Sequence, residues 1–301
     1  MTATAGGSEL ALAVVGDRLL TGLVEVTSDL TSLDGPGWWA VVIPFEGDPV
    51  CARFETVRPA RPWRGRPWPG VPAVTWRTSL DRDQYCAGVE AIRASVAEGD
   101  VYQVNLTRRL SAPLPAGADV AALGAALAEG NPAPFSAVVR LPAQGVHVAS
   151  ASPERFLSRD GSKVWSSPIK GTAASAAELL PKDRAENVMI VDLVRNDLGR
   201  VCEWGSVQVP ALLSLEPHPG LIHLVSTVEG RLRPGLGWAE LIDATFPPAR
   251  SPERPRSPLS NTSPPRTVPS GGVLRAVGWS TATADGERST SPSAPSGSMT
   301  A

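Results

Sequence analysis

A dominant sign of charge is what this 301-residue sequence lacks most plainly. Its 28 lysines and arginines stand against 30 aspartates and glutamates, for a formal net charge of -2. No global basic field follows, which argues against nucleic acid or an anionic membrane as partner. Cysteine is scarce as well. Cys51, Cys86 and Cys202 have neither paired nor metal-ligand spacing, so reduced structural thiols are expected rather than a disulfide framework. No apolar run is long enough to span a membrane, and Met1 to Gly7 lacks the basic stretch that begins a secretory signal. A soluble cytoplasmic protein is the expectation, long enough to bury a large core as one big domain or two smaller ones.

Along the chain, Leu10 to Val15 and Arg18 to Val26 read as strands around the turn Gly16-Asp17, and Trp38 to Phe45 as another. Arg58 to Pro72, rich in Pro, Arg and Trp, has no usable period and reads as a loop. Its tryptophans and arginines suggest a stacking surface for nucleic acid, but packing of arginine and proline over a tryptophan-lined loop suits the neutral balance better. From Asp81 the pattern becomes helical, with Tyr85, Val89, Ile92 and Val96 on one face and Gly99 as a left-handed cap. Tyr102 to Leu106 then starts a strand. Asp119 to Glu129 is an alanine-rich helix, and Ser136 to Leu141 and Val146 to Ala151 are strands. A hairpin follows through Asp160-Gly161. Helices alternate irregularly with hairpins, which predicts an α+β fold.

Chemical density is concentrated between Ser152 and Arg200, in three blocks: Ser152-Pro153-Glu154-Arg155-Phe156, Pro168-Ile169-Lys170-Gly171-Thr172, and the run from Glu186 to Arg200. An acid, a lysine and a carboxylate cluster are the inventory of an acid/base and metal-assisted site. Each has a plainer reading. Glu154 can be a surface carboxylate paired with Arg155 or Arg159. Lys170 can be a snorkelling strand-end lysine, although desolvation there would make it a usable nucleophile. Asp183 and Glu186 share one side of a helix start, where acids complement the dipole, yet they also suit Mg²⁺ as a half-shell. His223, alone in the apolar strand Leu221 to Val228, can be a hydrogen-bonded core residue. Hairpin register constrains the pairing of the first two blocks. A two-residue turn at Asp160-Gly161 leaves Glu154 and Lys170 on opposite faces, so a shared site requires a longer loop, a bulge, or a break at Pro153 or Pro168.

The three blocks, in this order, resemble the chorismate-using enzyme family, and within it the aminodeoxychorismate synthase component I branch. Gly99-Asp100-Val101-Tyr102-Gln103-Val104-Asn105-Leu106 matches a fourth block, and the resemblance runs from about Gln84 to Pro248. It implies a four-layer core of two antiparallel β-sheets flanked by helices. It implies Lys170 as nucleophile on the chorismate ring, Glu154 as general acid and base, and His223 at the active site. Gly171, Thr172 and Thr227 are the implied substrate contacts. Glu186, with Asp183, is the implied ligand set for Mg²⁺, and a separate glutamine amidotransferase subunit would supply ammonia. Product would feed p-aminobenzoate and folate synthesis or a specialised metabolite. Anthranilate synthases, otherwise similar, carry alanine where Lys170 stands.

After Pro248 the pattern departs from the family, whose next block reads GSVTGAPK. Ala249 to Ala301 is instead rich in Ser, Pro and Thr, a composition expected to be disordered. A legal choice of codons for Pro248 to Arg256, read one base earlier, gives GSVTGAPK, so the tail reads as frameshifted and the family's closing strands as missing. A catalytically dead remnant is then the alternative to an active enzyme. The expected organisation is an N-terminal β-rich lobe and connection over 1–80, a partial chorismate-binding region over 81–248, and the tail over 249–301.

Overall fold

A computed structural model describes residues 10–45, 47–101, 104, 106–218 and 220–246, and the backbone course of 275–282 and 297–300. The chain divides into two units: Met1–Trp68, Asp119–Phe246 and Arg275–Ala301 form the first, Pro69–Ala118 and Pro247–Leu274 the second. This differs from the division expected at residue 80. Hydrogen bonding explains the difference, because a strand near the amino terminus pairs with one beyond residue 130.

In the first unit, β1 (Leu12–Val15) and β2 (Arg18–Thr27) form the expected hairpin, with Val15 opposite Arg18. β3 (Gly37–Pro44) and β4 (Val50–Pro59) continue the antiparallel ladder. β1 also pairs with β7 (Phe135–Leu141), which pairs with β8 (Val146–Ser152). The run Trp38 to Ile43 is nearly all apolar because β3 is buried on both faces. Trp39, Val41 and Ile43 enter one core cluster, while Ala40 and Val42 enter a second with Leu20, Phe54 and Val139. Helix α2 (Val120–Gly130), capped by Asp119, lies on β7 and β8. Its Gly124 marks the close approach, since a Cβ there would sit 2.2 Å from Val138 Cγ2.

Next come β9 (Arg155–Asp160), β10 (Lys163–Ser167), β11 (Ile169–Ala173), β12 (Gln208–His218) and β13 (Leu221–Arg231). Helices α3 (Pro181–Gly199) and α4 (Trp238–Thr245) bury Val191, Leu198, Trp238 and Leu241 in the first cluster. β14 (Arg275–Ala282) pairs along the whole of β3, and β15 (Gly297–Thr300) joins β14 to β9.

β4 covers only one edge of β3, and the open edge is a template for another strand, which β14 supplies. The remaining tail residues lie outside the described residues. β14 and β15 link the strands into one hydrogen-bonded set of 13 among the described residues. The fold is α+β, with antiparallel pairing throughout the named strands.

The second unit holds β5 (Arg77–Thr78), β6 (Leu110–Ser111) and α1 (Arg82–Glu98). Asp81 and Gln84 form a reciprocal cap at the helix start, and Gly99 closes its end in the left-handed region. No residue of α1 is buried, and Tyr85 and Val96 on its apolar face are exposed. Of the strand expected from Tyr102 to Leu106, residues 102, 103 and 105 lie outside the described residues, and Val104 and Leu106 are not in a strand.

Candidate active site

The site begins with a register shift. β9 and β10 turn through Gly161-Ser162, with Asp160 opposite Lys163 and Gly161 at φ +57, suited to the first central position of a two-residue hairpin loop. An irregularity between Trp165 and Ser167 then moves the pairing by one residue, so that Ser167 faces Arg155. Pro168 ends β10, and the strand resumes as β11 alongside β13. Both a bulge and a break at Pro168 therefore lie between Glu154 and Lys170. The half-buried Glu154 then accepts the Ile169 backbone hydrogen through Oε1 at 2.6 Å. Its carboxylate is anchored one residue before Lys170.

The Lys170 side chain is 19% exposed, and its Nζ lies 3.9 Å from Glu186 Oε2 on α3. At that distance, with Glu186 itself 45% exposed, the pair adds little stability. Gly171 brings helix and strand together. It adopts φ +89, and a Cβ would stand 2.9 Å from Asp183 Cβ and 3.3 Å from Leu224 Cβ. Only glycine fits both the conformation and the space.

Asp183 reaches back to accept the Leu180 backbone hydrogen at 2.8 Å, which satisfies a donor at the start of α3. One cross-strand step away, Thr172 faces His223, and Thr172 Oγ1 lies 2.8 Å from His223 Nδ1. His218 packs edge-on to His223, with ring centroids 4.6 Å apart. Burial, and then the neighbouring His218 charge, push the His223 pKa below its ordinary 6.5 against the opposing pull of Glu216. Both effects favour the neutral imidazole of His223. Thr227 Oγ1 lies 3.3 Å from Ser167 Oγ.

Thus Lys170, Gly171, Asp183 and Glu186 meet where α3 crosses β11. Thr172 and His223 pair beside them, Glu154 joins through Ile169, and Thr227 joins through Ser167. Two residues given no role on sequence grounds are buried here: Asn187, next to Glu186, and Ser226, next to Thr227. A serine inside an apolar strand must find a partner when buried, and that rule was the available signal. Two concavities of about 480 and 410 Å³ lie against α4 and contain none of these residues.

Glu186 and Asp183 are the residues that would hold Mg²⁺, a cation that takes one or two carboxylates and keeps water. Asp183 is engaged with Leu180, Glu186 faces Lys170, and no group of three His, Cys, Asp or Glu side chains suited to a metal occurs among the described residues. No helix among them is long and apolar enough to cross a membrane.

An α+β framework thus sets a mostly buried lysine and an anchored carboxylate beside a helix bearing further acids. The chain belongs to the chorismate binding enzyme family, whose pattern residues 64–256 match. It is 44% identical over 184 residues to aminodeoxychorismate synthase component 1 of Klebsiella aerogenes, covering 57% of this chain and 40% of that protein. It is 38% identical over 185 residues to an anthranilate synthase component 1 of Haloarcula marismortui, covering 58% and 37%. The chain therefore spans well under half the length of these relatives. Its fold is similar to anthranilate synthase component I from Streptococcus pneumoniae, with TM-score 0.60, 18% identity, and coverage of 81% of this chain and 74% of that one.

Proposed function

We propose that this chain carries the chemistry of aminodeoxychorismate synthase component I, converting chorismate and ammonia to 4-amino-4-deoxychorismate. The observation that carries the reading is Lys170: an amine, mostly buried, stands where anthranilate synthases carry alanine, on the strand to which Glu154 is anchored. Lys170 Nζ forms a bond to the ring as the ring's bond to the 4-hydroxyl oxygen breaks, and Glu154 supplies the proton that lets the oxygen leave as water. Ammonia then forms the new C–N bond while the bond to Lys170 breaks and returns its electron pair to the amine. Glu154 takes up the proton released by the incoming nitrogen. His223, with Thr172, Thr227 and Gly171, forms the wall that holds the substrate. Ammonia comes from a separate glutamine amidotransferase subunit, in keeping with relatives named as component 1 of their synthases.

A second reading, a chorismate-binding relative without turnover, is favoured by the departure from the family pattern after Pro248. The test is product analysis with chorismate and an ammonium salt, for the chain and for Lys170→Ala. Aminodeoxychorismate formed by the first and lost in the second is the expected result. Undiminished formation by Lys170→Ala removes Lys170 from the chemistry, and binding of chorismate without any product selects the second reading.

A further inference from the structure

Lys170 and Gly171 lie where the ladder fails. β11 and β13 pair at Ile169 with Val225 and again at Thr172 with His223, and the register shifts between these points. Backbone carbonyls released by such a shift need other donors. Asn187 supplies them. Its Nδ2 donates to Leu224 O at 2.9 Å and reaches Lys170 O at 3.4 Å. Its Oδ1 accepts from Ser226 Oγ at 2.5 Å, and Ser226 Oγ in turn accepts the Leu213 backbone hydrogen at 2.9 Å. Asn187 and Ser226 are both fully buried.

The far end of this chain is strained. Leu213 has φ +57, the one positive φ outside glycine among the described residues, and it sits where β12 slips against β13 between Ala211 and Ser214. A leucine in the left-handed region is strained, because its Cβ crowds the following carbonyl oxygen. Here its amide hydrogen is directed at Ser226. One series of donors and acceptors thus runs from a bulge in β12, through β13 and α3, to the carbonyl of Lys170.

We infer that Asn187 is a positioning residue for Lys170, replacing the missing ladder bonds and fixing the separation of α3 from β11. Glu186 precedes Asn187 on α3, so the same tether sets the carboxylate against the Lys170 amine. This assignment rests on the reading of Lys170 as the reacting amine, but its test does not depend on turnover.

The test is competitive acylation of the full chain with acetic anhydride, reading the rate at Lys170 relative to Lys163 and Lys182 by peptide mass spectrometry. Ser226→Ala, which removes the hydroxyl linking Leu213 to Asn187, should raise relative Lys170 labelling about three-fold or more through local opening. Asn187→Ala should raise it further. Because Asn187→Ala leaves buried carbonyls unmatched and can fail to fold, Ser226→Ala is the deciding variant. Ile190→Val, a loss of one methylene from a buried position on the same helix, is the control and should leave the ratio unchanged. An unchanged ratio in folded Ser226→Ala overturns the inference. So does an equal rise in Ile190→Val, which would show that any loosening of α3 suffices. Failure of the Lys170 reading itself would instead appear as product formation by Lys170→Ala.

Discussion

Glu154 holds the backbone hydrogen of Ile169 at 2.6 Å, so a carboxylate that leaves β8 is tied to the residue before Lys170. Glutamine at position 154 can still accept that hydrogen but cannot transfer a proton. Glu154→Gln should therefore change stability by less than about 1 kcal/mol. It should lower turnover about 100- to 10,000-fold. Denaturant unfolding and product assay check the two halves separately. A stable variant with unchanged turnover would make Glu154 an anchor and nothing more.

Gly171 has neither the conformation nor the space for a side chain, with Asp183 Cβ only 2.9 Å from where its Cβ would be. Gly171→Ala should destabilise by about 1–3 kcal/mol, through positive φ and displacement of the start of α3. Thermal unfolding measures the loss. A change below a few tenths of a kcal/mol would mean that the helix start yields without strain.

His223 makes stability depend on pH, with a definite sign. Its folded-state pKa is depressed from 6.5, by burial first and His218 second. Above the unfolded value both states are neutral and nothing is lost. As pH falls through that value the unfolded chain binds the proton first, so stability declines until the folded-state pKa is reached. Urea midpoints at about pH 7.5 and about pH 5.5 should differ less in His223→Gln than in the native chain. An equal decline in both would place the responsible group elsewhere.

The three thiols should react unequally. Burial, helped by Asp29, pushes Cys51 up to about 12, and burial foremost pushes Cys202 up to about 11, whereas Cys86 is exposed on α1. Iodoacetamide should alkylate Cys86 in the native protein, and Cys51 and Cys202 only after denaturation. Mass spectrometry of the alkylated peptides decides it.

Arg140 is 8% exposed and donates to Asp119 Oδ2 at 2.6 Å and to Leu10 O at 3.0 Å. Removing one member leaves the other charge buried, so Arg140→Ala should cost about 3–5 kcal/mol. A loss under about 1 kcal/mol, read from denaturant midpoints, would mean that water replaces the guanidinium.

Local pattern determined much of this protein. The turn at Gly16-Asp17, the helix opened by Asp81 and closed by Gly99, the cap at Asp119, and the double-sided burial of Trp39 to Ile43 all follow from side-chain periodicity and backbone sterics within a few residues. The order of the motif blocks was equally legible, because residue identity needs no structure. Tertiary structure decided what depends on register. The shift between Trp165 and Ser167, the slip between Ile169 and Thr172, the partnership of Asn187 with Ser226, and the addition of β14 to β3 each join residues far apart in sequence. A local one-residue bulge carries no signature in a strand's own periodicity, although it turns every following side chain to the other face. Its energy comes from which carbonyls, amides and faces meet across the sheet, and those partners are chosen only when the whole sheet forms.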